Sequence, residues 1–310
     1  MRHLRTLGLC LIAVLAVSAV ATASASAGLP EFGGCERVLP GHGKYSDGAC
    51  TVKVTSVNKK TEGNYEWYTG KDFGWIAALE HTPWHAPRGL TEEVKLSSRL
   101  GATTFEASGG KKMECTGGEA EDLNLEDAHT SQFHGGLIAL TGCESEGQPC
   151  YSLPYETVNN LDEQYYEGGF EGKLGYISGK GTEHPVVGLS LTTPKNEEGK
   201  YVPLFVANCA GKVGTIAIGG KQKKNEGNTV IAVITPVDEM VGVGKAVSGL
   251  TLTYSESHGL QEPPKFATGH NLLLQGEVEG AWQPLGLQAI MPLTWEPGAA
   301  QLDLEIKAIP

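Results

Sequence analysis

The chain has 310 residues, with 36 Asp and Glu against 24 Lys and Arg, and a formal net charge of −12. Loss of Arg2 and Arg5 with the leader described below takes the balance to −14 and leaves only Arg37, Arg88 and Arg99 as arginines. A nucleic-acid partner needs clustered cations to displace condensed counterions, so that class is excluded, and Arg-fork recognition of phosphate or carboxylate is all but excluded beyond residue 99.

The chain opens Met1-Arg2-His3-Leu4-Arg5, followed by an apolar run from Leu7 to Ala21 and then Ala23-Ser24-Ala25-Ser26-Ala27. A basic start, an apolar core of moderate length and an A-x-A site predict a secretory signal peptide over residues 1–27, cut near Ala27. Leu7-Gly8-Leu9-Cys10 resembles a lipoprotein box, but it precedes the apolar core instead of following it. No later segment is long and apolar enough to span a bilayer. The mature chain, residues 28–310, is therefore expected to be secreted or associated with the cell envelope.

Residues 28–95 are rich in Gly and in aromatic rings, including Tyr45, Tyr65, Trp67, Tyr68, Phe73, Trp75 and Trp84, and carry one local cysteine pair. Pro83, Pro87 and Gly89 then break the chain. This predicts a small, irregular, disulfide-stapled N-terminal module. Tyr65, Trp67 and Tyr68 form a candidate ligand-stacking set, since flat rings cover the apolar faces of sugars. In a module with few aliphatics the same rings serve as the core, and that reading is the stronger. His81 and His85 have the i, i+4 spacing of a helical metal pair, but Pro83 between them disfavours a helix and favours a polar loop.

Residues 96–310 read as an antiparallel β domain. Two short helices are expected, at Thr91–Leu100 after Gly89-Leu90 and around Leu161–Tyr166. Elsewhere apolar and polar residues alternate, as at Val187–Thr192, Leu250–Ser255 and Leu302–Lys307, so each segment has one apolar and one polar face. Val230–Ile234 is a continuous apolar run, suited to a strand buried on both faces. Turn signals at Gly109-Gly110, Asn196–Gly199 and Asn225–Asn228 separate the runs. The fold class is all-β, an antiparallel β-sandwich or barrel.

Six cysteines follow the leader: Cys35, Cys50, Cys115, Cys143, Cys150 and Cys209. An even count in an exported chain predicts three disulfides. Preference for short loops pairs Cys35–Cys50 and Cys143–Cys150 and leaves Cys115–Cys209; the first closure is worth about 3 kcal/mol in the chain-entropy picture. No C-x-x-C pair or Cys/His cluster has structural zinc spacing.

Patterns of the common enzymes are missing: no G-x-S-x-G, no H-E-x-x-H, and no P-loop. Glu119, Glu121, Asp122, Glu126 and Asp127 make an acidic stretch. It departs from a calcium loop at Asp127, where glycine is needed, and at Phe133, where a bidentate Glu is needed, and it fits an edge strand better. Glu277 and Glu279 lie two apart on a strand pattern, a spacing compatible with glycoside hydrolysis and commoner among solvent-facing glutamates. No cofactor is expected.

The chain also resembles a family of secreted β-rich proteins, without assigned activity, that some soil actinobacteria carry in many copies. The resemblance rests on Pro30-Glu31-Phe32-Gly33 before Cys35, Gly43-Lys44-Tyr45, Cys50-Thr51 and Tyr65-Glu66-Trp67 with Gly70. It continues through Cys115, Gly142-Cys143, Cys150, Glu171–Ile177, Val187-Gly188-Leu189, Pro236-Val237 before Met240, and Leu304–Ala308. It spans nearly the whole mature chain and implies export and a β-rich fold. The expected function is that of a non-enzymatic binding or structural protein facing an extracellular ligand such as a glycan or envelope component. The rivals are a secreted hydrolase acting on polysaccharide or peptide, and a calcium-dependent adhesion module.

Overall fold

The computed structural model describes residues 28–69, 95–125, 132–152, 163–193, 201, 203–210, 214–219, 228–237, 250–269, 272–295 and 305–308. Nearly all of them are in antiparallel strands. The single helix among them is one turn, α1 (Lys59–Glu62).

Three long strands organise the architecture by changing partners partway along. In β5 (Lys112–Leu125), residues 112–115 pair with β4 (Thr103–Ala107), and residues 118–124 pair with β3 (Lys95–Leu100). In β6 (Gln132–Ser145), residues 132–141 pair with β8 (Glu163–Ser178), while Glu144 and Ser145 pair with β7 (Gln148–Ser152). β16 (Ala281–Trp295) takes β15 (Leu274–Val278) and β4 along its first half, then β13 (Thr251–Ser257) and β3 along its second.

Following hydrogen-bonded neighbours closes two circuits that share β5, β6 and β16. One runs β3, β5, β6, β8, β9 (Val186–Thr192), β12 (Thr229–Thr235), β13, β16 and back to β3. The other runs β4, β5, β6, β7, β10 (Pro203–Cys209), β11 (Gly214–Gly219), β15, β16 and back to β4. A short strand, β14 (Leu260–Glu262), extends a hairpin from β13. The fold is thus barrel-like, and closure removes the open edges that would otherwise template association. Inward residues of both circuits form one core cluster, including Phe105, Leu140, Phe170, Leu189, Phe205 and Leu252.

The alternating segments at 187–192 and 250–255 are strands, and Val230–Ile234 lies in β12 between β9 and β13 with little exposure on either face. The described parts of both predicted helices are instead strands. Residues 95–100 form β3, with Leu96 and Ser98 inward and Arg99 outward, and residues 163–166 open β8. Pairing with neighbours overrides weak local helix propensity, and an inward serine hid the period of two. The acidic stretch is no edge: β5 is paired on both sides, with Leu123 buried and Glu119 and Glu121 exposed.

The disulfides correct two of the three expected pairings. Cys35–Cys50 is present, but Cys115 pairs with Cys143 and Cys150 with Cys209. Cys115 faces Cys143 across β5–β6, and Cys150 faces Cys209 across β7–β10. The β6–β7 register, Glu144↔Pro149 and Ser145↔Gln148, continues to Cys143 opposite Cys150, so four cysteines line one row across four strands. Bonding the middle two would leave Cys115 and Cys209 three strand spacings apart, roughly 14 Å, beyond disulfide reach. Loop length alone does not reveal that constraint.

Outside the circuits lies a small sheet in the order β17 (Glu305–Lys307), β1 (Glu31–Arg37), β2 (Tyr65–Thr69). The alternating stretch near residue 306 thus supplies a strand to the N-terminal module, although its position places it in the larger predicted domain.

Candidate functional site

Alternation along β1 gives the small sheet two different faces. Phe32, opposite Ile306, points into the barrel core, and Tyr68, opposite Gly34, packs against that core. Glu31, Gly33 and Cys35 share the other face with their partners Lys307, Glu305 and Trp67. Residues 38–64 fold over this second face. The Cys35–Cys50 disulfide, the Tyr45 amide bonding the Tyr65 carbonyl at 2.9 Å, and the Val38 amide bonding the Asn64 carbonyl at 2.8 Å hold them there.

Asp47 shapes the tip of the loop. Its carboxylate accepts from the Val52 amide at 2.6 Å, the Thr51 amide at 3.0 Å and the Thr51 hydroxyl at 2.8 Å. Burial works against the charge, but these donors outweigh it and hold the carboxyl below its ordinary range. The turn carries Cys50 at φ 52, a left-handed conformation rare for a residue with a side chain, which the disulfide and the Asp47 bonds support.

The loop and sheet enclose Lys307. Its Nζ donates to the Cys50 carbonyl at 2.6 Å and lies 3.7 Å from the Tyr45 ring centroid and 5.0 Å from that of Trp67. Lys307 is 8% exposed and Glu305 is 3% exposed, so the polar half of this alternating strand faces protein instead of solvent. Trp67 is fixed by its Nε1–H donating to Glu31 Oε1 at 2.8 Å and lies against Gly33, where a Cβ would come within 2.7 Å of the ring. Cation–π contact strengthens as an ammonium loses its water, which makes this cage a principal seat of the strand.

Tyr65, Trp67 and Tyr68 do not form one stacking platform. Adjacent strand residues point to opposite faces, so Tyr68 meets the barrel core while Trp67 serves the cage. Neither Tyr45 nor Lys307 stands out in the sequence as part of a site, because a lysine in an alternating pattern reads as solvent-facing.

The outer surface of the module differs chemically from the barrel. The module's residues 28–69 and 305–308 carry six Lys and Arg against six acids, net 0, whereas residues 70–304 and 309–310 carry 16 against 30, net −14. Of seven exposed large apolar side chains among the described residues, Leu29, Leu39, Val52 and Val57 belong to the module, and Val57 is 92% exposed. Lys53, Lys59 and Lys60 are exposed in the same loop region, while Lys44 is engaged by Glu66.

Inside the barrels, side chains from both circuits line a cavity of about 50 Å³. Phe105, Phe205, Leu287 and Met291 make its walls apolar; Tyr254 and Thr193 also line it, and their buried hydroxyls have no hydrogen-bond partner. Glu277 and Glu279 do not make a facing pair: Glu279 lies beyond β15 in a turn at φ 53 and pairs with Lys111 at 3.0 Å. No group of three or more His, Cys, Asp or Glu side chains able to hold a metal occurs among the described residues. His81, His85, Glu126 and Asp127 lie outside the described residues. No helix among the described residues is long and apolar enough to cross a membrane.

No protein-family model, curated protein or solved structure matches the chain.

Proposed function

We propose that this is an exported, non-enzymatic binding protein that attaches to an anionic lipid surface of the cell envelope through the loop face of its small module. The observation that carries this reading is the coincidence of exposed lysines and exposed aliphatics on one module of an otherwise acidic chain. Export is supported by the leader-like first 27 residues, by the three disulfides and by the resemblance to secreted proteins.

A lysine near an anionic leaflet contributes about 1 kcal/mol, so Lys53, Lys59 and Lys60 together supply roughly 3 kcal/mol. Leu39, Val52 and Val57 add apolar contact at the headgroup boundary, and two weak signals together give reversible attachment. The acidic barrels are repelled by the same surface and stand away from it. The aliphatics favour a lipid interface over a dissolved polyanion, which offers nothing apolar to receive them.

Vesicle co-sedimentation of the mature chain tests this reading. Anionic phosphatidylglycerol vesicles are expected to bind it and neutral phosphatidylcholine vesicles to leave it in solution, with binding weakening as salt rises. The triple substitution Lys53→Gln, Lys59→Gln, Lys60→Gln is expected to reduce binding roughly 100-fold, and Val57→Asp to reduce it further. Equal binding to neutral and anionic vesicles overturns the reading. So does a soluble polyanion that binds as tightly as vesicles and ignores Val57→Asp.

A further inference from the structure

Surface attachment leaves the Lys307 cage unused. Residues 31–67 supply much of the seat of β17, with Glu31, Phe32 and Gly33 in the strand ladder, Tyr45 and Trp67 through their rings and Cys50 through its carbonyl, and the barrel core receives Ile306. Together they make a receptor for an extended segment. The ammonium enters between two rings with a carbonyl acceptor beyond, Ile306 joins Phe32 against the core, and Glu305 lies opposite Gly33, which has no side chain. The disulfide anchors Cys50, and the bond from Trp67 to Glu31 anchors the second ring, so the receptor is organised in advance of its strand.

We propose that this half of the small sheet is a strand-acceptor site for an extended Glu-Ile-Lys segment, and that in trans its occupant is β17 of a second copy of this chain. Adding a strand to an edge gives affinity through the backbone, and the cage gives selectivity for lysine. A second copy is the matching partner because each copy carries the segment that fits. The contacts are the same whether the strand comes from its own chain or another. The balance between the two then depends on the effective concentration of the chain's own strand, of millimolar order for a tethered segment, so crowding favours exchange. None of this requires an anionic surface, so the exchange is tested in solution independently of the attachment proposed above.

Isotope-labelled and unlabelled wild-type chains, concentrated together to about 1 mM and diluted for native mass spectrometry, are expected to show mixed dimers that persist after dilution. A fluorescent peptide of residues 301–310 is expected to bind the full chain carrying Lys307→Met at least about 10-fold more tightly than it binds wild type, because the chain's own strand competes less well. Norleucine in place of the peptide's lysine is expected to abolish that binding. Wild-type copies that never mix at any concentration overturn the proposal, as does peptide binding indifferent to the lysine.

Discussion

Replacing Tyr254 with Phe is expected to stabilise the protein, the reverse of the usual outcome of trimming a buried side chain. Tyr254 is 3% exposed on β13, its hydroxyl has no partner, and burial alone pushes the phenol far above its ordinary range, so it stays protonated. A buried polar group left unbonded costs about 1–3 kcal/mol. Removing one oxygen enlarges the adjoining cavity by roughly 10 Å³, a loss of only a few tenths of a kcal/mol at ~24 cal/mol per Å³. The net expectation is a gain of about 1–2 kcal/mol, read as a raised urea midpoint at unchanged m-value. Thr193→Val, which removes the unpartnered buried hydroxyl of another residue lining that cavity, is expected to shift the midpoint in the same direction. Alkaline titration supplies an independent readout. Because the folded phenol titrates far above the unfolded one, its contribution is complete below pH ~10 and is lost above it, by about 1.4 kcal/mol per pH unit. Tyr254→Phe should flatten that alkaline slope by one proton. A variant about 1 kcal/mol less stable than wild type, with the slope unchanged, would refute the reasoning and show that the hydroxyl is bonded in solution.

Non-reducing mass mapping is expected to return Cys35–Cys50, Cys115–Cys143 and Cys150–Cys209, and a Cys143–Cys150 peptide in the folded protein contradicts the row geometry. Removing Cys150 and Cys209 together, which opens a span of 59 residues, is expected to cost about 4 kcal/mol in urea unfolding. Gly135→Ala is expected to cost about 3 kcal/mol, because a Cβ at Gly135 would lie 1.8 Å from the buried Phe170 ring facing it across β6–β8. A neutral Gly135→Ala would mean that the ring does not rest on that glycine.

Local periodicity was enough to find strands wherever large apolar residues alternate, as at Val187–Thr192 and Leu250–Ser255. It failed where the inward residue is small and polar: Ser98 is 2% exposed, and its segment reads as part of a helix over Thr91–Leu100. It also cannot reveal that one strand serves two partners. The acidic stretch from Glu119 reads as a feature by itself, yet its described part belongs to one strand of 14 residues that begins at Lys112. The cage was less legible still. Lys307 meets the Cys50 carbonyl across 257 positions of sequence, and nothing near either residue marks the encounter. What could be read was the material of the site, the aromatic and glycine-rich module with its own disulfide. Its occupant could not.

The positions of the disulfides follow from the shared strands. β5 passes from β4 to β3 between residues 115 and 118, and β6 passes from β8 to β7 between residues 141 and 144. The Cys115–Cys143 bond joins β5 to β6 at this branch, beside Gly142 at φ 59, where a Cβ would meet the Thr116 side chain. At this branch β5 and β6 change their outer partners while staying paired to each other. A covalent link there keeps the two circuits in register whichever side opens first. The Cys150–Cys209 bond fastens only the second circuit, at the short strand β7, whose five residues make the smallest hold on β6. The Cys115–Cys143 bond lies within the long β5–β6 ladder, the Cys150–Cys209 bond lies beside the thin β6–β7 pairing, and the small module is cross-linked where a loop must be held against a buried ammonium.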